Sequence, residues 1–300
     1  MAAMIIVQVV GGLGNQMFQY ALGRHLSLRQ GCALKLDIEH CHNPLLDRDY
    51  RLHRFRIKAG ICSVEDRLKL NLMRRQSVRA LLRRALDAFL PIHRRRYVKE
   101  SSRSFDPRIL RCGKGVYLDG CWESWRYFEA IAGTLREDFQ LATPLSAEAR
   151  GLLEEQRSSE TVSVHVRRGD FVSDPRTRSI HGVLALDYYS RAIALLRERL
   201  VAPRFLVFSD DPEWCRREFA GMPDLLVPAS CGKLPVHEDL FLMSQCQHHI
   251  IANSTFSWWA AWLGKNPARL VIAPSNFRTA FSDQQREDLY PAEWLPIEND

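Results

Sequence analysis

The sequence predicts an α/β fold built on parallel sheets, and three features predict it. The first is a βαβ unit at the start, in which strand Met4–Val10 passes through a glycine-rich turn into a helix and then into strand Ala33–Ile38. The second is a strand–helix rhythm with short links through the second half, the pattern of a parallel sheet covered by helices on both faces. The third is bulk composition. Over 300 residues, 46% hydrophobic and 26% charged content suit a soluble chain of one large α/β unit or two ordinary domains. In open sheets of this kind ligands lie outside the carboxyl ends of the strands.

Met17, Phe18, Ala21, Leu22 and Leu26 stripe the first helix, with Asn15 as its expected N-cap and Gly31 as its stop. Gly12 and Gly14 match the first two glycines of G-x-G-x-x-G, but Met17 stands at the third position, so a dinucleotide fingerprint is incomplete. No Gly-Lys-Ser/Thr follows, which excludes a P-loop. An open backbone turn remains, beside a helix start that favours negative charge. Asp47-Arg48-Asp49 has the D-x-D spacing of metal-dependent sugar transferases, yet three residues in a polar stretch read better as a turn. Glu39-His40-Cys41-His42 reads as loop, because adjacent residues cannot all face one ion.

Residues 67–99 alternate leucines with Arg74, Arg75, Arg79, Arg83 and Arg84, and Arg94-Arg95-Arg96 follow Pro91. A solvated basic helical hairpin is one reading of this insertion, taken as about 63–99. Peripheral contact with anionic lipid is the other. Strand Gly115–Gly120 leads into the aromatic run Cys121–Phe128, which suits either a sugar platform or core packing. Leu141–Pro144 is the expected boundary, dividing residues 1–145 from 146–300.

The second half opens on Thr161–Arg167. Period-two alternation puts Ser163, His165 and Arg167 on one face and Val162, Val164 and Val166 on the other. A strand end presenting His165, Arg167, Arg168 and Asp170 is poorly suited to burial and well suited to an anion, since guanidinium forks bind diphosphate oxygens bidentately. A surface salt-bridge turn is the bland alternative. Next come a loop, helix Tyr188–Leu200 capped by Asp187, and strand Phe205–Phe208 ending in Ser209-Asp210-Asp211-Pro212. Strand Leu225–Val227, helix Glu238–Cys246 and strand His248–Ile251 follow. Asn253-Ser254-Thr255 opens a helix that Gly264 closes, and Leu270–Ala273 is the expected last strand. Arg167, Asp210 and the Asn253–Thr255 turn should share one edge, with Ser254, Thr255 and the free amides of the helix start as a second phosphate cradle.

Net charge of +7 favours anionic partners: nucleotides, nucleic acid or an anionic membrane. No recognisable base-reading module is present, so nucleic acid is not expected. Met1–Val10 is too short and uncharged for a signal peptide, and no apolar run reaches the ~20 residues of a membrane span. Eight cysteines without a C-x-x-C pair fit free thiols in a reducing cytoplasm, at most peripheral on the inner face of its membrane.

Three stretches, Gly11–Ala21, His165–Asp170 and Asn253–Trp259, resemble the bacterial α-1,2-fucosyltransferases, themselves distantly similar to α-1,6- and protein O-fucosyltransferases. Weaker echoes are Asp119–Ser124, Phe208–Asp211 and Asp239–Ser244, so the resemblance spans nearly the whole chain; Cys121-Trp122-Glu123 departs from the family pattern. The resemblance implies a GT-B architecture: two Rossmann-like domains, an acceptor-side domain over 1–145 and a GDP-sugar domain over 146–300, with the site in the cleft between them and a tail packing back on the first domain. It implies transfer of L-fucose from GDP-β-L-fucose to a galactoside 2-hydroxyl, with inversion and no metal or other cofactor. By position, Arg167, with Arg168, would hold the β-phosphate and His165 the nucleotide side. Asp239 would read guanine, since a carboxylate accepts from both N1–H and N2–H₂. Asn253, Ser254, Thr255 and Phe256 would line the diphosphate and base, beside Ser209 and Asp210. Gly12, Gly14, Asn15, Gln16, Trp122 and Glu123 would form the acceptor side, and Asp170, Glu123 and His165 are the candidate bases.

The expected acceptor is a galactose-containing glycan, lipid-linked or a free oligosaccharide. A GT-B enzyme using another GDP-sugar or acceptor hydroxyl is the first rival. A non-catalytic basic adaptor is the second, and GDP would not raise its thermal stability.

Overall fold

Short apolar strands buried on both faces can only be the interior of a layered α/β arrangement, and the computed structural model has two such sheets. It describes residues 4–41, 49–70, 87, 89–156 and 160–299. The chain divides into two compact units, Met1–Ala142 and Thr143–Asp300.

In the first unit, β1 (Met4–Gln8) is buried at all positions. It lies between β2 (Ala33–Asp37) and β5 (Val116–Asp119), with β3 (Gly60–Ile61) and β4 (Tyr97–Lys99) outermost, giving the all-parallel order β3-β2-β1-β5-β4. Helix Leu13–Gln30 crosses from β1 to β2. It ends at Gly31, whose φ of 57° is open to glycine and whose amide donates back to Leu28 O. Its N-cap is Gly12 rather than Asn15, and no side chain caps it. Gly12 has no side chain with which to cap the helix.

The second unit places β6 (Thr161–Val166) in the middle of the parallel order β11-β10-β9-β6-β7-β8, with β7 at Arg204–Ser209, β8 at Leu225–Leu226, β9 at His248–Ile250 and β10 at Val271–Pro274. The expected parity holds: Val162, Val164 and Val166 pack with Phe205, Val207, Tyr189 and Ile193 in one core cluster. Ser163 and His165 face the opposite layer, where Ser163 Oγ meets His249 Nδ1 at 2.8 Å.

Three local expectations differ. The stretch after β6, expected as loop, holds helices Gly169–Ser173 and Pro175–His181, the second capped by Asp174 with Pro175 in its first turn. Helix Leu186–Arg199 starts before Asp187, and its N-cap, Ala185, makes no side-chain cap. Leu270–Ala273 is not the last strand: Leu295–Ile297 is β11, an edge strand beside β10, where Pro296 costs little for want of a further neighbour. Asp47 and Arg48 of the D-x-D triplet, His42, and residues 71–86 and 88 of the basic insertion lie outside the described residues. No helix among the described residues is long and apolar enough to cross a membrane. All eight cysteines are free thiols.

Candidate active site

Because β9, β6 and β7 are adjacent and parallel, their carboxyl ends bring together the 253–255 turn, the 167–170 turn and Ser209-Asp210-Asp211. Asp210 organises the middle of this edge. One oxygen accepts the Arg168 N–H at 2.8 Å and the other meets Arg167 Nη1 at 2.7 Å. A Cβ on Gly169 would sit 2.6 Å from that second oxygen, so the turn passes the carboxylate only because residue 169 is glycine. Arg167 also reaches Asp170 at 2.5 Å. Arg168 pairs with Asp211 at 3.0 Å and lies 4.2 Å over the Trp214 ring. Asp210, expected to line the donor, holds the arginine turn in shape. Ser209 is likewise internal: its hydroxyl accepts the Asp211 N–H at 2.9 Å, closing the turn.

On the β9 side, Ser254 caps helix Thr255–Leu263, its Oγ accepting the Phe256 N–H at 3.3 Å. The Phe256 ring lies 5.4 Å from that of His165. His165 is buried, and burial together with the Arg167 charge pushes its pKa down to about 3, so it is a neutral imidazole at physiological pH. Its Nδ1 has no hydrogen-bond partner among the described residues. In that neutral form His165 is not a phosphate-binding cation. Asn253 is buried too. Its amide donates to His181 O at 2.7 Å, and His181 stacks on Phe171, whose other neighbour is the Arg167 guanidinium at 5.5 Å. Asn253 orders the loop through its amide N–H, while its Oδ1 has no hydrogen-bond partner among the described residues.

Asp239 lies on helix Val236–Gln245, in electrostatic reach of Cys231, whose thiol rests on Ser209 O. Burial, and then the neighbouring Glu238, raise the Asp239 carboxyl to about 7. Glu238 itself is engaged by Ser146, through N–H and Oγ at 2.8 and 2.7 Å. No hydrogen bond or ion pair among the described residues engages the Asp239 side chain, which leaves a half-buried carboxylate for an incoming donor.

In the first unit two buried amides tie the carboxyl end of β1 to its surroundings, Gln19 to the end of β5 and Gln16 to the 49–51 segment. Gln19 accepts from Val10 N–H at 3.0 Å and donates to Gly120 O at 3.2 Å. Gln16 donates to Gly11 O and Asp49 O, at 3.0 and 2.8 Å, and accepts from Arg51 N–H. Gln16 was expected at the acceptor side, and Gln19 was missed. Glutamine on the apolar face of a helix, three residues from another, was the available signal. Gly12 stands in open space, and Gly11, at φ 82°, brings its backbone against the Asn15 side chain. Gly14 is buried in the helix.

Trp122 corrects the sugar-platform reading: it is fully buried, with its ring edge-on to Tyr127. It holds a φ of 60°, rare for a large residue, while Glu100 accepts the amides of Cys121 and Trp122 at 2.8 and 2.9 Å. Glu123 is buried and paired with Arg103 at 3.0 Å. A carboxylate so engaged is poorly placed as a base. Among the described residues no cluster of three or more His, Cys, Asp or Glu could hold a metal ion.

Two parallel-sheet units have the architecture of GT-B type, and the second carries paired arginines beside a helix start. The model of glycosyl transferase family 11 matches residues 56–298, and the chain belongs to that family. It is 33% identical over 311 residues, 99% of each chain, to an alpha-1,2-colitosyltransferase of Escherichia coli. It is 32% identical over 196 residues to the galactoside 2-alpha-L-fucosyltransferase SEC1 of Bos taurus, covering 62% of this chain and 52% of that one. Among solved structures, fucosyltransferase NodZ from Bradyrhizobium shares the fold, with a TM-score of 0.52 at 18% identity over 87% of this chain and 92% of its own. NodZ, an alpha-1,6-fucosyltransferase, has also been crystallised and soaked with GDP-fucose.

Proposed function

We propose that the chain is an inverting α-1,2-fucosyltransferase that moves L-fucose from GDP-β-L-fucose to the 2-hydroxyl of a galactoside in a glycan, with no metal requirement. The arginine turn at the end of β6, beside the helix start at Ser254, is the observation that carries this reading. The acceptor oxygen bonds to the anomeric carbon as the bond to the β-phosphate breaks, and the hydroxyl proton is lost. Charge builds on the departing GDP. Preorganised cations and amides aimed at that charge lower the barrier, and Arg167 and Arg168 have the fork geometry for it. Those forks rest on Asp170, Asp210 and Asp211, so the diphosphate oxygens would exchange with carboxylate oxygens. Asp239 would accept from guanine. His165, neutral and short of one hydrogen bond, would contact the nucleotide side of the donor.

The natural acceptor on this reading is a lipid-linked surface-polysaccharide repeat or a β-galactoside-ended oligosaccharide. Eight free thiols support a cytoplasmic setting. Incubation with GDP-fucose and galactoside-terminated glycans, followed by linkage analysis of the product, is the test. An α-1,2-linked fucose supports the assignment, and a product linked elsewhere, or none across a glycan array, overturns it. A second reading, transfer of colitose, is favoured by the 33% identical relative. Parallel reactions with the two donors separate the readings.

A further inference from the structure

The two arginines of the β6 edge are held differently. The Arg167 guanidinium meets two carboxylates, those of Asp170 and Asp210. Arg168 gives its backbone N–H to Asp210 and its Nε to Asp211, and neither of its Nη groups has a hydrogen-bond partner among the described residues. Its side chain is nonetheless only 19% exposed, and its guanidinium lies 4.2 Å over the Trp214 ring.

Trp214 is a fixed plate beneath that guanidinium. Its ring stands edge-on to Phe219 at 6.0 Å and packs against the core cluster of Val162, Val164 and Val166. Its backbone N–H donates to Asp211 Oδ1 at 3.2 Å, and the other oxygen of the same carboxylate takes Arg168 Nε at 3.0 Å. Arg168, Asp211 and Trp214 thus close a triangle of contacts, all within the second unit.

Core packing alone would ask only for an apolar side chain at position 214. A π face turned to a guanidinium does more, because the ring quadrupole attracts the cation and fixes its plane. An arginine already held in plane has little rotamer freedom left to lose when it meets an oxyanion, whereas a free one must be ordered by the ligand. We infer that Trp214 is a positioning residue for the donor: its ring holds Arg168 so that both Nη groups are offered to the diphosphate as one fork. This role rests on the reading of the β6 edge as a GDP-sugar site.

Calorimetric titration of GDP and GMP into the wild-type chain, Trp214→Leu and Trp214→Phe tests the role, with the GDP-to-GMP affinity ratio of each protein as the readout. A variant that is merely less folded loses both affinities alike, so its ratio does not move. Trp214→Leu is expected to lower the ratio about tenfold, and Trp214→Phe, which keeps a ring face, to stay within about threefold of wild type. A wild-type ratio in Trp214→Leu, or a Trp214→Phe variant as impaired as Trp214→Leu, would overturn the positioning role and leave the donor site standing. A wild-type chain that binds GDP no better than GMP would overturn the donor reading itself, and the role with it.

Discussion

Replacing Arg167 by alanine should remove catalysis while sparing the fold, because the two effects differ in size. In the free protein the guanidinium makes ion pairs of 2.5 and 2.7 Å with Asp170 and Asp210, yet its side chain is 33% exposed and its partners' 32% and 26%. Pairs so open to solvent contribute about 0–1 kcal/mol each. Asp210 would keep the Arg168 N–H, so its carboxylate is not orphaned. The stability lost is then about 0–2 kcal/mol, small beside the ~5–15 kcal/mol of a folded domain. Loss of a preorganised donor to a developing oxyanion costs about 2.7–4 kcal/mol of transition-state stabilisation, or ~10²–10³ in kcat. Arg167→Lys should recover most of the stability and little of the rate, since an ammonium offers no planar fork. Release of GDP, followed beside urea denaturation of each variant, reads both quantities. Near wild-type turnover by Arg167→Ala, or a rate loss matched by unfolding, would refute the reasoning.

Gly169→Ala should lower donor affinity and rate, because its methyl group meets Asp210 Oδ2 at 2.6 Å and must displace the carboxylate that holds both arginines; unaltered donor binding would count against that cradle. GDP affinity should fall about tenfold for each pH unit below about 7, where the raised Asp239 carboxyl binds a proton that guanine recognition must expel, and Asp239→Asn should flatten the profile. The same group, lifted from 3.8, contributes folded-state stability that is present below its unfolded value and is lost as pH rises toward 7, so the free protein should lose stability across that window. Gln19→Leu should cost about 1–3 kcal/mol in denaturant unfolding by leaving Val10 N–H and Gly120 O without a partner. A chelator should leave transfer intact, and activity restored only by Mn²⁺ would reopen the Asp47-Arg48-Asp49 reading.

The parallel strand–helix alternation of the second unit and the parity of β6 are legible because hydrophobic period is a local, repetitive signal. Val162, Val164 and Val166 announce a buried face before any contact is known. What was not legible depends on single long-range hydrogen bonds. Nothing near Asp210 in the chain says that its carboxylate caps the Arg168 amide 42 positions earlier, and nothing near Gln19 names Gly120, 101 positions away. Trp122 misled for a related reason: an aromatic run reads alike on a sugar platform and in a core, and only the Glu100 clamp decides. Asp174-Pro175, by contrast, carried a helix-start signal in plain view, an N-cap followed by proline.

Calorimetric titration of GDP and GMP into the wild-type chain and Arg167→Ala isolates the β-phosphate, the group around which the carboxyl edge of β6 is read. A strong preference for GDP in the wild type that collapses in the variant is the expected result. An equal preference in both proteins would contradict a diphosphate clamp at that edge.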